Sequence, residues 1–331
     1  MKVENVKLIH TQIDISVEYN NGEKNFENVF ILNANNNNIN GITYSCPLSF
    51  DSGIIKKTLD NANGRNVENV CLFYSFMYQI AFGHFTEQCL PKIKFYLKLK
   101  EEIKGLKLCI PKKRYNLITN DIMNLLNICE DDIIILEHDT VICAENLYYN
   151  NYECADFNAD KIETFNLIRE KLLLSANTKF NRNVYIKRNT ENIVNNDCYN
   201  IGKTRQIVNE AQLIAALQKL NFEIITLGER DIYEKKNLLS NINILITQTG
   251  GTMYNLIFAN TPKSVIFLSN NSPLHVDYIR SLLPRLNFYT PGSVTTFQYG
   301  SYIYNCDTKN VMNDPFVVNI DQVINYCKNK V

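Results

Sequence analysis

Apolar residues along the chain gather in short blocks, separated by polar stretches rich in asparagine or punctuated by glycine, serine and proline. The first sixty residues read as strands and turns. Leu8–Val17 and Val29–Leu32 are strand-like, and Asn33–Gly41 is a polar loop. The texture then changes. Cys71–Phe82 is apolar and aromatic, and Lys92–Lys100 has an amphipathic pattern. A helix is predicted to begin close to His84, with Pro91 as a point of kinking. Leu106–Ile110 reads as a strand, Leu117–Ile128 as a helix and Asp132–Leu136 as a strand, with Thr140–Cys143 a candidate for one more. This alternation predicts a first parallel α/β domain.

Asp160–Leu174 is predicted helical, with Ile162, Phe165, Ile168 and Leu172 along one face; it could link two domains. A second alternating run follows: strand Val184–Lys187, helix Gln206–Leu220, strand Phe222–Leu227, helix Asp231–Ser240, strand Asn243–Thr247 and strand Ser264–Leu268. Asn243–Thr247 is a β-branched apolar run suited to a strand covered on both faces. Gly250 and Gly251 follow it, and Thr252 is placed to cap the next helix. Val276–Leu283 and Asp321–Lys328 are further predicted helices, and the last could pack on either domain. The expected organisation is an N-terminal domain over 1–158, a C-terminal domain over 159–310 and a closing segment over 311–331.

Composition narrows the function classes. The formal net charge is +0 and the pI is about 6.9, which gives no footprint for nucleic-acid binding. Ten cysteines contain no C-x-x-C pair and suggest reduced thiols, many of them in cores. No signal peptide and no run long enough to span a membrane is apparent, so the expected location is the cytoplasm, or the host's cytoplasm for a viral protein. No G-x-G-x-x-G follows the first strand, which counts against a dehydrogenase.

In open parallel sheets ligands bind outside the carboxyl ends of the strands. In the second run those positions hold Arg188, Gly228 and Glu229, and the sequence Gln248-Thr249-Gly250-Gly251, while Arg205 precedes the helix that carries Asn209 and Glu210. Two arginines and a helix start can hold a diphosphate without a metal, because guanidinium groups and unpaired N–H groups both bind phosphate oxygens. Each arginine taken alone could be a surface charge, and the glycine pair could be an ordinary turn. In the first run His84 stands beside Gly83 at the helix start, with Glu87 and Gln88 three and four residues on. On an α-helix both would share its face, and a carboxylate there could raise the basicity of an imidazole acting as general base. A partly buried histidine held by hydrogen bonds at the helix start fits the same residues. No His/Cys/Asp/Glu grouping has metal-ligand spacing.

Four segments also carry a family resemblance: Phe82-Gly83-His84-Phe85 with Leu90-Pro91, Tyr185-Ile-Lys-Arg188, Arg205-Gln-Ile-Val-Asn209-Glu210, and Gly250-Gly251-Thr252-Met-Tyr-Asn255-Leu-Ile-Phe. In this order the chain resembles the family 61 glycosyltransferases over roughly residues 75–270. The resemblance implies an α/β fold of GT-B type, two Rossmann-like domains facing across a cleft. It implies an inverting, metal-independent transfer from a nucleotide sugar, usually UDP-linked, to a hydroxyl of a glycan or glycoprotein, with no cofactor. The donor would lie mainly on the C-terminal domain and the acceptor mainly on the N-terminal one; the oligomeric state stays open. Arg188, Arg205 and the N–H groups of Gly250, Gly251 and Thr252 would hold the diphosphate. Asn209, Glu210 and Thr249 would line the donor site, Glu229 or Asn255 would touch ribose, sugar or base, and His84 with Glu87 would be catalytic. Three positions depart from the family pattern: Thr249 where histidine is usual, Gln88 where an acid is usual, and Lys235 where glutamine is usual. They motivate an alternative, a catalytically inactive nucleotide-sugar-binding or scaffold protein of the same fold.

Overall fold

The structure is a computed structural model that describes residues 2–15, 24–33, 39–41, 64–73, 82–112, 117–137, 140–150, 159–172, 180–188, 206–228, 230–270, 294–299 and 315–330. The chain divides into two units, Met1–Thr164 and Phe165–Val331, each with its own sheet. Among the described residues no helix is long and apolar enough to cross a membrane.

The first unit holds seven strands: β1 (Lys2–Ile15), β2 (Lys24–Asn33), β3 (Ile39–Gly41), β4 (Arg65–Leu72), β5 (Lys107–Pro111), β6 (Ile133–Leu136) and β7 (Thr140–Tyr148). Their order is β3-β2-β1-β7-β4-β5-β6. The expected all-parallel domain is therefore a mixed sheet. β4, β5, β6 and β7 run parallel, but β1 pairs antiparallel with both β7 and β2. Part of the expected loop at Asn33–Gly41 also pairs: Leu32 faces Ile39 and Phe30 faces Gly41. Three edge residues need only backbone groups to join a sheet, so no side-chain pattern announces them. β4 had no alternating signature either, because Arg65, Asn66 and Glu68 are exposed and only Asn69–Leu72 are buried. Leu8, Val70, Leu72, Cys109, Ile134, Leu136, Ile142 and Leu147 form this sheet's core.

Between β4 and β5 the chain makes an α turn at Phe82–His84, a π turn at Phe85–Cys89 and helix α1 (Pro91–Glu102). Leu90 N–H donates to Phe85 O at 3.1 Å, the five-residue bond of a π-bulge. Proline has no N–H to continue the ladder, and Pro91 occupies the first turn of α1, where that loss is harmless. The expected kink is thus a π turn directly before the proline. Helix α2 (Leu117–Leu125) then connects β5 to β6.

The second unit begins within α3 (Ala159–Lys171) and continues with β8 (Arg182–Ile186), α4 (Glu210–Gln218), β9 (Phe222–Ile225), α5 (Ile232–Leu238), β10 (Ile242–Gln248), a 3-10 segment (Gly251–Phe258), β11 (Ser264–Asn270), β12 (Val294–Tyr299) and α6 (Ile320–Lys328). All five strands are parallel, in the order β12-β11-β10-β8-β9. β10 is central, and Ile244 to Gln248 are all buried, as the apolar run predicts for a strand covered on both faces. Asn221 and Asn241, at φ 58° and 56°, turn the chain into β9 and β10; asparagine tolerates this left-handed conformation. β12 was not anticipated, since its Thr295 to Phe297 are only half-buried and give no inner-strand signal. The predicted helix Val276–Leu283 lies outside the described residues. α6 packs in this unit, with Val323 and Cys327 in one core with Leu213, Leu217, Tyr185 and Phe316. Helix α4 starts four residues later than predicted because Ile207 bridges to Phe316 and Val208 N–H donates to Phe316 O at 2.9 Å.

Candidate active site

In the second sheet β8 connects outward to β9 on one side, while β10, β11 and β12 lie on the other. The strand order reverses between β8 and β10. A reversal leaves a crevice at the carboxyl ends, because the connections from the two strands leave over opposite faces of the sheet. Ile186 of β8 is paired with Thr247 of β10. Two residues beyond Ile186 comes Arg188; three beyond Thr247 comes Gly250. The topology thus brings Arg188 and the glycine turn to one sheet edge, on neighbouring strands.

Gly250 has φ 107° and ψ −153°, a conformation open essentially to glycine alone. It lets the chain leave β10 and enter the segment Gly251–Phe258 at once. That segment is 3-10 rather than the α-helix expected, and its cap position is Gly250 rather than Thr252, with no side-chain cap. A 3-10 ladder bonds each N–H to the carbonyl three residues back, and here Met253 N–H reaches Gly250 O at 3.1 Å. The N–H groups of Gly250, Gly251 and Thr252 therefore have no acceptor inside the segment, and they form its positive end. At the other end the buried Arg169 of α3 donates to Leu256 O at 3.1 Å and Ala259 O at 2.7 Å. Burial pulls its guanidinium down to about 10. A cation on the last carbonyls complements the segment's dipole. Sequence reasoning missed Arg169, whose partners lie 87 and 90 residues away.

Arg188 is half-buried, and desolvation lowers its pKa from the usual arginine value. Desolvated guanidinium groups bind phosphate oxygens more strongly than fully hydrated ones do. Arg205 and Glu229 lie outside the described residues.

The other predicted donor residues hold internal structure. Thr249 is buried; its hydroxyl donates to Ser269 Oγ at 3.1 Å and its N–H to Leu268 O at 3.0 Å, joining β10 to β11. Asn209 forms a reciprocal pair with the Val318 backbone: Nδ2 donates to Val318 O at 2.8 Å and Oδ1 accepts from Val318 N–H at 2.9 Å. Glu210 Oε1 accepts from the buried Tyr185 hydroxyl at 2.6 Å. Burial, then the Glu210 charge, pushes the Tyr185 hydroxyl well above the ordinary tyrosine value. Asn255 is 5% exposed; its Nδ2 donates to Thr252 O at 3.0 Å and its Oδ1 accepts from Lys235 at 3.1 Å. Lys235 is held down to about 8, first by burial and then by repulsion from Arg230.

In the first unit, parallel strands β7-β4-β5-β6 show the same reversal, here between β4 and β7. His84 closes the α turn that follows β4 in the chain, and Glu87 lies in the π turn. The side chains of His84, Glu87 and Gln88 lie outside the described residues. One premise of the spacing argument does change. A five-residue hydrogen-bond period widens the turn, so the α-helical i, i+3 and i, i+4 relation of His84 to Glu87 and Gln88 does not hold across Phe85–Cys89. Thr86 is buried and donates to Phe82 O at 2.9 Å, tying the π turn to the turn before it.

Among the described residues no group of three or more His, Cys, Asp or Glu is assembled as for a metal ion. The family model described as Glycosyltransferase 61 matches residues 82–266, more than half of the chain. The match runs from the turn holding His84 into β11 and takes in both Arg188 and the Gly250 turn. Among curated proteins, none matches the chain.

Proposed function

We propose, for a chain that belongs to glycosyltransferase family 61, that it inverts configuration while moving a sugar from a UDP-linked donor to a hydroxyl of a glycan or protein, without a metal. The reading takes the two units as the acceptor-side and donor-side domains of a GT-B enzyme working in the cytoplasm. What chiefly supports it is the reversal point of the second sheet, where Arg188 and the N–H groups of Gly250–Thr252 come to one edge.

In the proposed reaction the acceptor oxygen attacks the anomeric carbon from the face opposite the nucleotide. The bond from that carbon to the diphosphate oxygen breaks, and its electron pair leaves with the diphosphate. Charge grows on the leaving group as this happens. Arg188, Arg205 and the fixed N–H groups would stabilise it without reorganising, which is the largest contribution such a site can make. His84 would take the proton from the acceptor hydroxyl. Glu229 is the remaining candidate for ribose, sugar or base. Asn209, Glu210, Thr249 and Asn255 would act mainly by holding the elements that carry the site, since each has a partner inside the protein.

A screen of nucleotide sugars by thermal shift, followed by product analysis, tests the proposal; a ligand that binds only the native state raises its apparent stability. The expected result is a UDP-sugar hit, product of inverted anomeric configuration and activity that survives a chelator. Retained configuration would sink the inverting mechanism. His84→Ala should lower turnover by about 10²–10⁴-fold with UDP affinity unchanged; near-normal turnover would remove the base. Thr249 favours a second reading, a donor-binding protein without catalysis, because its hydroxyl is buried on Ser269 and brings no charge to the site. Donor binding with neither transfer nor hydrolysis would select that reading.

A further inference from the structure

Lys235 has no role in the chemistry above, yet it occupies a telling place. It lies in the middle of α5 and is 2% exposed. Its ammonium donates to Gly228 O at 3.2 Å and to Asn255 Oδ1 at 3.1 Å, and lies 6.0 Å from the Phe258 ring centroid. The two acceptors belong to different connections. Gly228 is in the turn after β9, and Asn255 is in the 3-10 segment after β10. In the sheet, β8 lies between β9 and β10. Lys235 therefore joins the two connections that flank the one carrying Arg188.

Its effect on Asn255 is directional. An ammonium can only donate, so it accepts one orientation of the amide, with Oδ1 toward Lys235. That leaves Nδ2 to donate to Thr252 O, as it does at 3.0 Å. The Thr252 carbonyl is thereby held in the first turn of the segment, beside the N–H groups that have no acceptor within it. A buried ammonium is costly unless its donors are met. An apolar side chain could fill the same volume; only a long donor reaches both acceptors at once.

We infer that Lys235 is a positioning residue of the donor site: it holds the turn after β9 and the start of the 3-10 segment at fixed spacing about Arg188, so that the diphosphate-binding N–H groups are set before the nucleotide arrives. This inference rests on the donor-site reading given under the proposed function.

The test compares Lys235→Met, which keeps length and removes the donors, with Lys235→Gln, which keeps an amide donor and removes the charge. Without ligand, hydrogen exchange at the amides of residues 250–255 should quicken by about tenfold or more in the Met variant and less in the Gln variant, with β8 and β11 unchanged, because local opening is set by the contacts that hold the segment. With UDP as probe, calorimetry on the full chain should give about tenfold or more weaker binding for Met and partial rescue by Gln, since lost preorganisation is charged to binding. Donor KM should rise in step with the loss of UDP affinity; a merely structural role would lower kcat through the active fraction and leave KM unchanged. Wild-type exchange and wild-type UDP binding in the Met variant would overturn the inference. So would quickened exchange with unchanged binding. If wild-type protein binds no nucleoside diphosphate, the donor-site reading fails and Lys235's donor role fails with it; quickened exchange in the variants would then leave a clamp of the fold alone. Should the Met variant not fold, the Gln variant carries the same comparison, with a smaller expected change of the same sign.

Discussion

Gly250 and Gly251 are adjacent, and alanine should affect them in opposite ways. Gly250 sits at φ 107° and ψ −153°, where a Cβ collides with the backbone; holding alanine there costs about 1–3 kcal/mol. Gly251 has no positive φ and begins the 3-10 segment. Alanine there removes freedom from the unfolded chain and should stabilise by about 0.4–1 kcal/mol. The two variants should therefore differ by about 1.5–4 kcal/mol in urea unfolding, with equal m-values. For a unit of this size that is a separation of about 3 °C or more in melting temperature. Function should divide differently. Alanine at Gly251 places a methyl group beside the N–H groups proposed to hold the diphosphate, so UDP binding should weaken although the fold is intact. Equal stability of the two variants would refute the backbone reading of Gly250. Wild-type UDP affinity in Gly251→Ala would refute the close approach of phosphate to this turn.

Three further outcomes are expected. Arg169→Met should destabilise the second unit by about 2–4 kcal/mol in urea unfolding, because Leu256 O and Ala259 O lose a charged donor in a buried place; a change near zero would show that neither bond matters. Asn209→Leu should cost about 1–3 kcal/mol by leaving the N–H and C=O of Val318 unpaired, and hydrogen exchange should quicken at Val318; unchanged exchange there would sink that role. The pH dependence of stability should carry Lys235's signature. Burial, then repulsion from Arg230, holds its ammonium down to about 8 in the folded protein, against the ordinary lysine value of 10.5. Below pH 8 both states hold the proton; above it the unfolded state holds more, so stability rises with pH by up to about 1.4 kcal/mol per unit. From about pH 8 upward the Cys71 and Cys327 thiols, ordinarily 9.0 and raised to about 12 by burial, act increasingly in the opposite direction, because the unfolded state loses their protons first. Lys235's contribution should therefore be read as the difference in slope between pH 8 and 9, the wild-type slope being the more positive and Lys235→Met lacking that contribution; identical slopes in the two proteins would refute it.

How far the sequence carries can be judged at particular elements. β10, β11 and the helices Glu210–Gln218 and Ile232–Leu238 were legible, because burial on both faces of a strand or one face of a helix imposes a hydrophobic period on the residues themselves. Gly250 was legible for a related reason: an unusual backbone conformation demands a particular residue type. β3, β4 and β12 were not, since edge position and partial exposure relax the period. The π turn at Phe85–Cys89 was hidden as well, and with it the true relation of His84 to Glu87 and Gln88, because α and π turns draw on the same residues.

The candidate site divides along the same line. Residue order alone determined that Arg188, Gly228 and Gly250 follow strands, since strands and turns are local. Which of these positions are neighbours was decided by the sheet order β12-β11-β10-β8-β9, a property of pairings between residues distant in the chain. Partners were decided at the same level. Asn209 and Asn255 read as polar residues free to meet a ligand, but Val318, 109 residues on, takes up the first, and Lys235, on another element, takes up the second. A buried polar group must find its partner wherever the fold puts one, and that search ends only in three dimensions.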